Sequence, residues 1–165
     1  MFQSAFVLLS LFDRVHKIYG RKKVQKIIHL LEVSGVNLPF KYAYHHYGPF
    51  SVELQEELNF LVNQGLLSET KEDAAYVYEI TEKGKQFKQK LETEERYKVM
   101  FNEELLEALT KENSQFLELV STYAYLIDIG YEENFAKQKA LELKPHLSKY
   151  IDTAVKFYNE QIKYH

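Results

Sequence analysis

The string YAYHHYGPFS, residues 42–51, sets two adjacent histidines among three tyrosines. Imidazoles in such a cluster suggest metal ligation or proton transfer near neutral pH. An enzyme or metal protein would be built on His29, His45 and His46. The spacing argues against that chemistry. Adjacent residues on an extended strand point to opposite faces, so His45 and His46 cannot easily share one ion. No histidine or carboxylate completes the i, i+4 helical spacing of a His-Glu-x-x-His site. Glu53 is the nearest acid, and it falls on a different predicted element. The chain has no cysteine, which excludes thiolate nucleophiles, disulfides and cysteine-bound zinc. It also lacks a Walker loop, a Gly-x-Ser-x-Gly elbow and a dinucleotide fingerprint. The expectation is a non-catalytic chain with no cofactor and no metal.

The string reads better as architecture. Tyr42, Tyr44 and Tyr47 offer large surfaces, and their hydroxyls and the His46 imidazole can satisfy polar groups as they pack. Gly48 suits a tight turn, Pro49 the first turn of a helix, and Ser51 the capping of a donor. These seven residues are expected to fix the angle at which the third helix begins.

The flanking elements follow from periodicity. Leu8, Leu11, Phe12, Val15 and Ile18 recur at helical spacing up to Gly20. A second helix over about 21–34 turns Val24, Ile27, Ile28 and Leu31 inward and Lys22, Gln25, Lys26 and His29 outward. Phe40, Tyr42, Tyr44 and His46 alternate as one face of a strand or extended loop. A third helix over about 50–64 carries Phe50, Leu54, Leu58, Leu61 and Val62 on its inner stripe. Leu66 and Leu67 open a strand, ETKED makes a polar turn, and AYVYEI makes a second strand. Thr81 caps a long helix running to about Arg96, with Phe87 and Leu91 inward. Helix, helix, helix, hairpin, helix is the winged-helix order, predicted over residues 1–96.

Residues 97–165 read as a C-terminal helical bundle packed on that module. One stripe is Phe116, Val120, Tyr123, Ala124 and Ile127, stopped by Gly130. Phe135, Ala136, Ala140 and Leu143 form another. Pro145 opens a third, with Leu147, Ile151, Ala154, Val155, Tyr158 and Ile162. The fold class is thus mainly α with a small β-hairpin. The start, MFQSAFVLLSLF, has no positive n-region and is too short to span a membrane, so it reads as a buried helix of a soluble, cytoplasmic protein.

KVQKIIHLLE, YAYHHYGPFS, GLLSE and YEITEKGK together resemble the YwgA-like family of uncharacterised bacterial proteins, along the whole chain. The Tyr-His-His-Tyr-Gly-Pro string is the most specific part. A remoter similarity is to the Panacea domain of SocA-like antitoxins. There a Leu-Gln-Lys-Leu-Leu-Tyr helix precedes a Gly-Pro that opens another helix. Val24 to His29 match the first element, and Gly48 and Pro49 the second. His29 stands where that family has an aromatic, and the C-terminal bundle does not match. This second resemblance implies a protein-binding regulator.

Charge ranks the partners. The net charge of -3 makes the chain as a whole no electrostatic match for nucleic acid or an anionic membrane. On a winged helix that binds DNA, the third helix presents basic or amide side chains to base edges. Here it presents Glu53, Gln55, Glu56, Glu57, Asn59, Asn63 and Gln64, with no Arg or Lys between Ser51 and Gln64. The wing tip SETKED sets Lys71 against Glu69, Glu72 and Asp73. The favoured reading is a regulatory or adaptor protein, antitoxin-like in mode, whose winged helix binds a protein partner through Glu53, Glu56, Glu57, Gln25 and Lys26. The alternative is a DNA-binding transcriptional regulator. It would form a homodimer through its C-terminal helices and use Arg21, Lys22, Lys23 and Lys26 as phosphate contacts. The bundle stripes also hold Tyr123, Tyr125, Tyr131, Phe135, Tyr150, Phe157 and Tyr158, expected mostly in the core; any left outside would add a patch for protein partners.

Overall fold

The computed structural model describes residues 1–163. It is mainly helical, with two small antiparallel sheets. The order begins α1 (Gln3–Val15), β1 (Lys17–Tyr19), α2 (Arg21–Val33), β2 (Ala43–His45), β3 (Gly48–Phe50) and α3 (Val52–Asn63). It continues with β4 (Leu67–Glu72), β5 (Ala75–Ile80), α4 (Glu82–Glu92), α5 (Glu103–Lys111), α6 (Ser114–Asp128) and α7 (Glu133–Leu143). A 3-10 turn over Pro145–Tyr150, α8 (Ile151–Phe157) and a π turn over Tyr158–Ile162 complete it. Among the described residues no helix is long and apolar enough to cross a membrane.

The chain divides into two compact units. The first holds residues 1–25, 37–41 and 51–100; the second holds 26–36, 42–50 and the chain from Phe101 onward. These are not the contiguous halves that a single cut after residue 96 makes. The later turns of α2 and the β2–β3 hairpin group with the C-terminal helices.

In the first unit α1 packs on α3, α4 and β5. Every residue from Ala5 to Phe12 is buried. The α1 helix stops earlier than its stripe suggested. His16 takes φ 67°, and Ile18 lies in β1, paired with Tyr78 of β5. The sheet order is β1-β5-β4. The polar stretch expected as a turn is mostly strand, because β4 and β5 stay in register from Leu67↔Ile80 to Glu72↔Ala75. Only Asp73 and Ala74 remain to turn, and Asp73 accepts φ 53° as short polar residues can. Thr81 caps α4 as expected, accepting from the Gly84 amide at 2.9 Å. Gly84 also allows a close approach: a Cβ there would collide with the Leu66 carbonyl oxygen. The α4 helix ends at Glu92, short of Arg96, and the chain turns back so that Tyr97 packs with Phe6 and Leu91.

In the second unit α6 packs against β3, α7, α8 and the 3-10 turn. Every residue from Leu117 to Ala124 is buried. Asn102 caps α5, accepting from the Leu105 amide at 3.0 Å, and Leu105, Leu106 and Leu109 go inside. Pro145 opens the 3-10 turn as expected. Phe135 departs from its expected stripe: α7 buries Ala136 and Ala140, while Phe135 is 65% exposed.

Candidate functional site

YAYHHYGPFS is a hairpin followed by a helix cap. Ala43, Tyr44 and His45 pair with Phe50, Pro49 and Gly48. Pro49 therefore lies in a strand and not in the first turn of a helix. The α3 helix starts after Ser51, whose hydroxyl accepts from the Leu54 amide at 3.1 Å. His45 and His46 are exposed. His45 packs its ring on Phe50 and His46 meets Tyr47 edge-on. Tyr47, expected to pack, is 60% exposed at the turn. Among the described residues no group of three or more His, Asp or Glu is placed to hold a metal ion.

The string is gripped from α2. Residues Val24 to Leu31 are all buried, so α2 has no solvent face there. This corrects the outward placement of Gln25, Lys26 and His29. In the first unit the Gln25 amide clamps Ser51 on both sides: Nε2 donates to the Ser51 carbonyl at 2.9 Å, and Oε1 accepts from the Ser51 amide at 3.0 Å. In the second unit Lys26 Nζ donates to the Pro49 carbonyl at 2.5 Å. Gln25 and Lys26 are 1% exposed, so neither can meet a partner or a phosphate. Two pairs far apart in sequence are thus hydrogen-bond partners, Gln25 with Ser51 in the first unit and Lys26 with Pro49 in the second.

Within the second unit the hairpin is also held by residues that periodicity did not select. Lys144 Nζ lies 2.6 Å from Glu118 Oε2 and donates to the His46 carbonyl at 3.1 Å. Its ammonium also sits 5.4 Å from the Tyr44 ring centre, a cation–π contact. Gly48 takes φ 90°, and a Cβ there would press on Thr122 Oγ1 at 3.1 Å. Among the described residues the fully buried charges are Lys26, Glu118 and Lys144, two cations to one anion. One signal for them was in the sequence. Glu118 is the single charge in QFLELVSTYAYLI, a helix otherwise too apolar to have a solvent side.

His29 and Ser121 share a hydrogen bond of 2.6 Å, the contact on which serine nucleophiles depend. Here both groups are inside the protein. Ser121 is 0% exposed and His29 4%, and the His29 ring packs on Tyr42 at 4.5 Å. Burial, reinforced by the charge of Lys26, lowers the His29 pKa to about 3. Such an imidazole stays neutral and is a weak base.

The exposed surface of α3 is the other candidate. Val52, Glu53, Glu56, Asn59, Phe60 and Asn63 are exposed, and at about 100° per residue they share one side. Val52 and Phe60 are 52% and 50% exposed, a feature the expected inner stripe did not reveal. Glu57 is only partly exposed, and burial raises its carboxyl above the usual range. Of the four expected phosphate contacts, Lys26 is inside and Arg21 is engaged. Arg21 donates through Nε and Nη2 to both Glu69 carboxylate oxygens, at 3.1 and 2.8 Å, and stacks on Tyr76 at 3.9 Å. That bidentate bond holds the Glu69 carboxyl below its usual range. Lys22 and Lys23 are half-buried.

No family model matches the chain. It is 34% identical over 143 residues to a protein of Bacillus subtilis (strain 168) described as uncharacterized protein YwgA. The match covers 83% of this chain and 81% of that one, most of the chain and not the whole of it. Identity at that level over most of both sequences shows that the chain belongs to the YwgA family.

Proposed function

We propose that this chain is a regulatory or adaptor protein, without catalytic activity, whose N-terminal part is a winged helix that binds another protein through α3. The order α1-β1-α2-α3-β4-β5 and the sheet order β1-β5-β4 support the winged-helix reading. The observation that carries the binding reading is the exposed side of α3. It offers two half-exposed apolar side chains, Val52 and Phe60, beside Glu53 and Glu56. Apolar anchors rimmed by charge suit a protein partner. They are a poor match for phosphate, which needs cations. The DNA-binding alternative is weakened further because Arg21 is held by Glu69 and Lys26 is buried. The bond from Lys26 to the Pro49 carbonyl links one residue of each motif that the antitoxin-like reading compares.

The test is affinity capture from the native host with wild-type protein and two α3 variants, Phe60→Ser and Glu53→Lys/Glu56→Lys. The positions are exposed, so melting temperatures should stay within about 0.5 kcal/mol equivalents of wild type. A stoichiometric partner should be captured by wild type and lost or weakened about tenfold in both variants. Equal capture by all three would remove α3 as the interface. Specific duplex DNA binding at about 10 nM or tighter in physiological salt would favour the alternative.

A further inference from the structure

The corner where α6 ends and α7 begins forms a second surface with a chemistry of its own. Ile129, Tyr131 and Phe135 are 55%, 38% and 65% exposed there. With Glu132, Lys139 and Glu142 they line an open groove of about 650 Å³. That volume is in the range that accepts a bulky side chain or two. Large apolar groups gathered at one exposed corner mark an interaction site more often than chance exposure does.

The turn that forms the corner carries charge of one sign. The segment DIGYEENF, residues 128–135, contains Asp128, Glu132 and Glu133 and no cation. The nearby cations are already engaged with acids: Lys137 with Asp152, Lys139 with Glu142, and Lys163 with Glu133. The surrounding tyrosines register the same field. Burial, and then Glu133 and Glu132, raise the Tyr123 hydroxyl pKa. Burial also raises that of Tyr158, which Lys163 lowers in part and Asp128 and Glu133 raise.

We propose that the α6–α7 corner docks a basic segment of a partner protein, an amphipathic stretch whose apolar side chain enters the groove beside Phe135 and whose lysines or arginines face Asp128 and Glu132. Apolar contact supplies the anchor. The acidic rim selects for cations and speeds encounter. The site is separate from α3 and does not depend on the reading of that helix.

The experiment uses the full chain and two synthetic amphipathic peptides of the same pattern, one of lysine and leucine, the other of glutamate and leucine. Binding is measured by calorimetry and located by amide chemical shifts. The basic peptide should bind at moderate salt, with the largest shifts between Asp128 and Glu142, and the acidic one should not. Phe135→Ser should weaken the basic peptide about tenfold or more, as loss of a central aromatic anchor does. Asp128→Lys should weaken it and flatten its salt dependence. Phe60→Ser, on α3, should leave it unchanged. Three results would overturn the proposal: equal binding of both peptides, shifts centred on α3 with Phe60→Ser as the damaging variant, or a concentration-dependent dimer of the free chain that Phe135→Ser dissolves. The last would mean a second copy of the chain covers the corner.

Discussion

The α1 and α6 helices are each buried on all sides over a stretch of similar length, and they bury different things. From Ala5 to Phe12, α1 contributes apolar side chains and a lone serine. From Leu117 to Ala124, α6 contributes Glu118, Ser121 and Thr122 among its apolar residues. The difference shows two ways of making a helix interior. The α1 helix needs only volume and apolar area, and nothing directional fixes its neighbours. The α6 helix carries groups that are costly inside unless each meets a partner. Those partners are Lys144 for Glu118 and His29 for Ser121. They tie α6 to α2 and to the segment before the 3-10 turn, and Lys144 holds the hairpin carbonyl of His46 as well. Polar burial here sets which segments meet, and in what register.

The comparison breaks most visibly at Glu118. Glu118→Leu leaves Lys26 and Lys144 as buried cations with no buried carboxylate among the described residues. We expect a loss of about 3–5 kcal/mol, read by denaturant unfolding. Replacing all three at once, with Lys26→Met and Lys144→Met added, should recover most of it, since well-packed apolar groups often equal a buried ion cluster. A triple variant no more stable than Glu118→Leu alone would show that apolar groups cannot fill this site as α1 fills its own.

Acid should separate the two helices next. The folded pKa of His29 is about 3, below the ordinary value of 6.5. Between those values the unfolded chain takes up a proton that the folded chain refuses, so stability falls as pH drops below about 6.5. By about pH 5 this single group removes about 2 kcal/mol. Hydrogen exchange should show α6 amides losing protection over that window. A His29→Gln variant, compared with wild type, should have a shallower slope between about pH 6.5 and 5. Identical slopes in the two proteins would mean His29 is not held neutral.

The smallest effect is expected where the helices agree. Ser10 Oγ in α1 and Thr122 Oγ1 in α6 are buried without a hydrogen-bond partner. Removing an unsatisfied hydroxyl at constant shape costs little, so Thr122→Val and Ser10→Ala should each change stability by no more than about 0.5–1 kcal/mol in either direction. A large loss in Thr122→Val alone would reveal a partner that only α6 requires, such as a bridging water.

Much of the secondary structure was legible because it depends on near neighbours. Thr81, Ser51 and Pro145 mark helix starts through bonds or backbone angles that span a few residues. The α3 stripe of Leu54, Leu58 and Leu61 is read from spacing and is found inside. The misreadings share a cause. Ile18 continued a helical pattern, but β5 was available to pair with it, and a distant strand has no signature in the local spacing. Pro49 next to Gly48 looked like a helix opening, but Tyr44 lies across from it in a hairpin.

The candidate site was the least legible part. Sequence periodicity assigns polar residues to the outside, because an unpartnered polar group inside is costly. Gln25, Lys26, His29 and Glu118 escape that rule only because Ser51, Pro49, Ser121 and Lys144 meet them. By itself the sequence determined the family, most of the helices and their caps, and the acidic character of α3. Tertiary structure alone decided which charges went inside, and which apolar side chains, Phe60 and Phe135, stayed out. The physical reason is that a side chain's transfer free energy depends on the groups waiting at its destination, and those come from residues far away in the chain.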